Sequence, residues 1–276
     1  RPPPAGAAQP RAMMPPQRAK GWVSTMTEHE QIAAMIRQKE QAPIALDPAR
    51  TALVIVDVQR YFTRPDSDFA HVFQKLAPGA MDGYFRRVSS TVLPNIQRLQ
   101  NSFRSLGLPV VFCIFGSYMQ DGSDLPCWLK DFDNVSLQLL GRRSTPAIND
   151  ASWQIEDSIA ALPGEPVINK TSSGALSSTN LDQTLRNMGV TSLVVCGLTT
   201  AVCVGLTARQ TADRGFRVVI ASDACTELSQ EMHDAALLSF SHVFGQVRPA
   251  QEVTAFLASA NSASKGAEPA RSRAAS

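Results

Sequence analysis

The sequence predicts a three-layer α/β/α domain built on a mostly parallel, six-stranded sheet, and three observations carry that expectation. Six short runs are continuously apolar and rich in β-branched residues instead of alternating, the pattern of a strand covered on both faces. Amphipathic stretches of helical length fall between them, and regular alternation of strand and helix builds a parallel sheet with helices on either side. The chain has 276 residues, 44% of them apolar and 18% charged, enough for one substantial core.

Six prolines fall in the first 20 residues, with no apolar period, so segment 1–25 is expected to be a disordered leader that cannot bury enough surface to offset its ordering entropy. Met26 reads as a natural start, and Thr27 with Glu30 forms a candidate capping box for a helix over about 28–40. Residues 26–46 are accordingly read as a helix and linker. Strands are expected at 51–57 (TALVIVD), 109–115 (PVVFCIF), 166–169 (PVIN), 192–197 (SLVVCG), 217–222 (RVVIAS) and 242–247 (HVFGQV). Helices are expected at 80–106, 177–188, 201–214, 229–239 and 250–259, which makes 47–260 one α/β domain. The tail, 261–276, is poor in large apolar residues and is expected to trail free.

Charge and cysteine usage narrow the partners. Lys and Arg number 26 against 24 Asp and Glu, a net charge of +2 that gives no electrostatic reason for nucleic acid or an anionic membrane as partner. No run approaches the roughly 18 to 20 apolar residues that span a bilayer. Five cysteines (Cys113, Cys127, Cys196, Cys203, Cys225) with no CxxC pair suggest buried thiols in a reducing, cytoplasmic setting. A small-molecule substrate is the expected partner.

In an open parallel sheet, ligands bind beyond the carboxyl ends of the strands. Three reactive side chains fall on that rim. Asp57 follows four apolar residues of the first strand, where desolvation would raise its pKa and suit it to proton exchange; a helix N-cap is the other reading. Lys170 follows the third strand and is either a buried cation or a solvated loop residue. Cys203 lies just beyond the fourth strand, in GLTTAVCVGLTARQ, with Thr200 as candidate N-cap, so helix-start N–H groups would favour its thiolate; a small core residue is the alternative. Cys113 and Cys196 read as core, and Cys225 as a second rim cysteine without the helix-start context. GxSxG, GxGxxG and Walker signatures are missing, and the four histidines (His29, His71, His233, His242) form no i,i+4 pair, so neither a cofactor nor a metal site is expected.

Taken together and in order, Asp57, Lys170 and Cys203, in the stretches LVIVDVQRYF, INKTSSGALSSTNLDQTLRNMGV and LVVCGLTTAVCVGLTARQTADRGFRVVIASDA, with the late FGQV, resemble the isochorismatase-like cysteine hydrolase superfamily over about 51–250. The resemblance implies a Rossmann-like sandwich with Asp57, Lys170 and Cys203 as a triad. In it the thiolate attacks a carbonyl carbon, the aspartate shuttles the proton, and a thioester is hydrolysed. It also implies a non-proline cis peptide at Leu198-Thr199, aiming the N–H groups of Thr199 and Cys203 at an oxyanion. Gln59 and Phe62 match the family pattern and are pocket candidates with Tyr118 and Trp128, while Leu176 stands where the family often has an aromatic. The stretch IFGSYMQDGSDLPCWLKDF has no histidine, unlike the Asp/His metal cluster of nicotinamidases, which disfavours that activity.

The sequence is closer to the branch hydrolysing amides, ureides and N-carbamoyl compounds such as N-carbamoylsarcosine, ureidoacrylate and biuret, with ammonia released. Vinyl ether cleavage of an isochorismate-like substrate, or a non-catalytic oligomeric role, is the alternative. A homodimer or homotetramer is expected by analogy. Arg209, Asp213 and Arg214 read as a solvated or intersubunit face, and Tyr118, Trp128 and Phe132, in segment 116–135, as a lid or a local apolar clasp.

Overall fold

A computed structural model describes residues 27–266; the expected leader, 1–25, lies outside them. The chain divides into two compact units after Lys39. In the first, helix α1 (Glu28–Glu40) opens on a reciprocal capping box: Thr27 N–H donates to Glu30 Oε2 at 2.7 Å and Glu30 N–H to Thr27 Oγ1 at 3.3 Å.

The second unit carries, in chain order, β1 (Thr51–Val56), α2 (Arg60–Thr63), α3 (Asp68–Leu76), α4 (Asp82–Arg87), a π-helical turn (Val88–Val92), α5 (Leu93–Ser105), β2 (Val110–Phe115), α6 (Cys127–Leu140), β3 (Val167–Lys170), α7 (Leu181–Asn187), β4 (Ser192–Leu198), a second π-helical turn (Thr200–Val204), α8 (Gly205–Asp213), β5 (Arg217–Thr226), α9 (Gln230–Val243), β6 (Gln246–Arg248) and α10 (Ala250–Gly266). The strands form one sheet in the order β3-β2-β1-β4-β5-β6, and every neighbouring pair is parallel. All residues of β1, β2 and β4 are buried, which is why these strands show no polar alternation.

Strand order runs outward in opposite directions from β1 and β4, so right-handed crossovers place α5 on one face of the sheet and α8 and α9 on the other. α5 presents Ile96, Leu99 and Phe103 at helical spacing, each fully buried, and packs with α10 against the sheet. The reversal between β1 and β4 opens a crevice at their carboxyl ends, the place where this architecture binds ligands. Gly197 sets the width of that crevice. Its φ is +123°, and a Cβ there would collide with the Val56 carbonyl, so only glycine lets β4 approach β1 so closely.

Several elements depart from the sequence reading. The helix expected over 80–106 runs from Asp82 to Ser105 as α4, the π turn and α5 in direct succession, with Pro94, which has no N–H to donate, as the second residue after the π turn. β5 runs on to Thr226 and takes in Cys225, which is therefore a buried strand residue and not a rim cysteine. The strand expected at 242–247 is only Gln246–Arg248, because α9 continues to Val243. Helices α2, α3 and α6 lie in stretches for which the sequence reading expected no helix, although Pro126 at the N-cap and Gly141, with φ of 73°, mark the ends of α6. α10 extends to Gly266, into the stretch expected to trail free; residues 267–276 lie outside the described ones.

Gly197→Ala is expected to lower stability by at least about 2 kcal/mol or to prevent folding, whereas Gly189→Ala, at φ +73° with open space around it, should cost about 1 kcal/mol. Urea denaturation compares them, and equal costs would contradict the close approach of β1 and β4. A second expectation concerns alkaline pH. Burial pushes the thiols of Cys113 and Cys225 up to about 12. The folded protein keeps these protons while an unfolded chain loses them above about pH 8.5, so this stabilisation is full below that pH and declines as pH rises toward 12. The slope should approach roughly 1.4 kcal/mol per pH unit for each thiol, read from urea unfolding at pH 8, 9 and 10.

Candidate active site

Asp57 leaves β1 in a left-handed conformation, φ 53°, while its N–H still donates to Cys113 O at 2.8 Å. It does not cap α2, which starts three residues later behind Gln59. Its fully buried Oδ2 lies 2.8 Å from Nζ of Lys170, whose side chain is also fully buried. Lys170 ends β3 and pairs in register with Phe115, the last residue of β2. From there its side chain crosses β2: Nζ sits 5.2 Å from the Phe115 ring centroid and donates to Ser172 O at 2.9 Å. The solvated alternative for Lys170 is thereby replaced by a buried ion pair.

Cys203 arrives from β4. The Leu198-Thr199 peptide is cis, as the resemblance implied. Thr199, not Thr200, is the N-cap of the turn that follows, and Val204 N–H closes that turn on Thr199 O at 3.2 Å. Thr200 is instead held by His233, with Oγ1 and Nδ1 2.8 Å apart. Ala201 N–H, at the start of the turn, donates to Glu227 Oε2 at 2.8 Å, and Glu227 Oε1 accepts from Leu228 N–H at 3.0 Å. The Cys203 thiol lies beside the Asp57 carboxylate, whose two buried oxygens are met by the Lys170 ammonium as an ion pair and by no hydrogen bond of good geometry among the described residues.

Burial raises the Asp57 carboxyl above the ordinary range, against the opposing pull of the Lys170 ammonium and the neighbouring Cys203 thiol. Burial works against the charge on Lys170, yet Asp57 and Cys203 hold it above the usual lysine value, so the ammonium stays charged. Burial, then the Asp57 charge, push the Cys203 thiol well above its ordinary value, and Lys170 only partly offsets them. The helix-start N–H groups were expected to favour a thiolate; in the folded protein desolvation wins, and the Cys203 thiol is held to its proton.

Cys203 and Thr199 form part of the wall of a cavity of about 230 Å³. α2 supplies Tyr61 and Phe62, α3 supplies Phe69 and Phe73, β2 ends there in Phe115, and α6 turns in Trp128, Leu129 and Phe132. Ser173, Val202, Glu227, Leu228 and Met232 complete the rim. Of the pocket candidates, Phe62 and Trp128 line this cavity, whereas Gln59 and Tyr118 do not. The Gln59 amide is fully engaged with backbone, donating to Phe115 O and Trp153 O at 2.8 and 2.7 Å and accepting from Phe115 N–H at 2.7 Å. It therefore fixes the end of β2. Tyr118 is half-exposed, with its hydroxyl 3.5 Å from Asn169 O, and Leu176 packs into the core. The stretch expected to be a lid or clasp contributes its wall through a regular helix.

Phe69, Phe73, Glu227 and His233 escaped the sequence reading. A signal existed for the two phenylalanines: Ser67 caps α3 by accepting from Ala70 N–H at 3.2 Å, and Phe69 and Phe73 stand four apart. Among the described residues no cluster of three or more His, Cys, Asp or Glu could hold a metal ion, and no helix is long and apolar enough to cross a membrane.

Known proteins resemble this chain over most of its length. The isochorismatase domain family matches residues 51–252. The chain is similar to a ureidoacrylate amidohydrolase of Methylobacterium radiotolerans, 32% identical over 223 residues that cover 78% of this chain and 81% of that protein. It is also similar to an N-carbamoylsarcosine amidase of Arthrobacter sp, 28% identical over 75% of this chain and 71% of the relative. A crystal structure of a cysteine hydrolase from Pseudomonas syringae pv. phaseolicola 1448A shares the fold, with TM-score 0.64 and 24% identity over 80% of this chain and 99% of that one.

The buried pair makes a stability prediction. Lys170→Met is expected to cost about 3–5 kcal/mol, because it leaves Asp57 unpaired, and Asp57→Asn with Lys170→Met should recover most of that loss. A double variant no more stable than Lys170→Met in urea unfolding would show that the two groups do not depend on each other.

Proposed function

The chain belongs to the isochorismatase family, and we propose that it acts as a cysteine hydrolase cleaving the C–N bond of a small amide, ureide or N-carbamoyl compound. What carries this reading is a thiol in the wall of one cavity, backed by a carboxylate and an ammonium that reach it from the ends of β1 and β3. The names of the two relatives, an amidohydrolase and an amidase, support the bond type.

In the proposed cycle Asp57 takes the Sγ proton as sulfur attacks the carbonyl carbon, and the carbonyl π pair moves to oxygen. The N–H groups of Thr199 and Cys203 receive that developing charge. Collapse of the tetrahedral adduct breaks the C–N bond while Asp57 returns the proton to the leaving nitrogen, leaving a thioester and free ammonia or amine. Water then gives a proton to Asp57 and attacks the thioester, and the departing sulfur recovers the proton. A carboxyl of raised pKa suits both directions of transfer, and Lys170, charged throughout, keeps the buried site from gathering uncompensated negative charge. The high resting pKa of Cys203 means that sulfur is activated when substrate is in place, not stored as thiolate.

Ammonia release over a panel of simple amides, ureides and carbamoyl amino acids tests the proposal, with Cys203→Ala alongside. The variant is expected to stay folded, since a small side chain is removed from one wall, and to lose at least about 10³-fold in kcat/KM. An alanine variant that keeps its activity, or pyruvate formed from a vinyl ether substrate in place of ammonia, would overturn it.

A further inference from the structure

The geometry points to the substrate class: we propose that the cavity takes an uncharged amide or urea whose substituent is an apolar ring, and rejects substrates bearing a carboxylate. This rests on the reading of Cys203 as the nucleophile. None of the described residues lining the cavity is Lys, Arg or His. Seven are aromatic, and six of them, all but Trp128, form a connected array: Tyr61 and Phe62 centroids are 4.7 Å apart, Phe62 and Phe115 6.4 Å, Phe62 and Phe69 5.3 Å, Phe69 and Phe73 5.1 Å, and Phe73 and Phe132 6.0 Å. Edge-to-face walls of this kind suit a further ring.

Polar atoms are confined to the reacting end and one side. Ser173, Thr199 and Cys203 stand where a carboxamide would react. Glu227 brings a carboxylate to the wall, so a substrate carboxylate would meet like charge there. The cations nearby are committed elsewhere. Lys170 is fully buried against Asp57, and Arg87 lies behind Glu227, donating to Thr226 Oγ1 at 2.9 Å and Glu227 O at 2.7 Å. Arg209 lies in an adjoining depression, donating to Ser239 Oγ at 3.1 Å with its guanidinium 5.6 Å from the Phe244 ring. An anionic substituent would therefore lose its water without gaining a counterion. Size agrees as well: a dry cavity of about 150 Å³ holds benzene, so about 230 Å³ accommodates one ring with a short carboxamide arm.

The test is a matched pair, phenylacetamide and 4-carboxyphenylacetamide, read in two ways: ammonia release by the full chain, and calorimetric binding to Cys203→Ala. Both readings are expected to favour phenylacetamide by at least about 100-fold, and Arg209→Ala should leave that ratio within about threefold. If the carboxylated compound binds or reacts as well as its neutral partner, or if neither binds, the inference fails. A carboxylate preference abolished in Arg209→Ala would overturn it in favour of the outer arginine. Selective binding of phenylacetamide without ammonia release would sustain the ligand class and instead remove the C–N hydrolase reading.

Discussion

The interaction on which the rest of this structure depends is the ion pair between Asp57 and Lys170, sealed from solvent at the end of the sheet. Removing two charges from water costs several kcal/mol per ion, and their attraction compensates only where geometry is good and the remaining polar atoms are met. Here Ser172 O and the face of Phe115 receive the ammonium, while the Cys203 thiol stands beside a carboxylate whose two oxygens have no hydrogen-bond partner among the described residues. Each of those partners sits on a different segment. The pair therefore demands that β1, β2, β3 and the turn after β4 end at one depth, which a parallel sheet with Gly197 at its narrowest crossing provides.

The turn bearing Cys203 is held from outside rather than by its own capping. Glu227 and His233, from the β5–α9 connection and from α9, receive Ala201 N–H and brace Thr200. Arg87 at the end of α4 in turn grips the backbone of Glu227 and the hydroxyl of Thr226. Position of the sulfur is thus decided by elements from three parts of the chain, with no side-chain cap from Thr199. Such bracing holds the Cys203 thiol beside the Asp57 carboxylate without drawing it into the thiolate form, consistent with its raised pKa.

The aromatic cavity places two demands on neighbouring segments. Helices α3 and α6 turn Phe69, Phe73 and Phe132 inward to close it, and Gln59 pins the end of β2 so that Phe115 serves both the cavity and the lysine. Along this wall polar side chains are few, and Ser173, Thr199, Cys203 and Glu227 supply them beside the aromatic rings.

By itself the sequence determined the layered α/β class, because buried parallel strands must be apolar throughout and helices must cross between them. It also marked Asp57, Lys170 and Cys203, since reactive side chains directly after apolar strands stand at the rim of such a sheet, and the order of the motifs carried the family resemblance. Only the tertiary structure decided which reading of each held: that Lys170 is buried against Asp57, that desolvation outweighs the helix start at Cys203, that Cys225 is a strand residue, and that Gln59 and Tyr118 stand outside the cavity. The reason is physical. Burial, pKa and cavity membership are set by what packs against a side chain from distant segments, such as Glu227 against Ala201 and Phe132 against Phe73, and local sequence holds no record of those meetings.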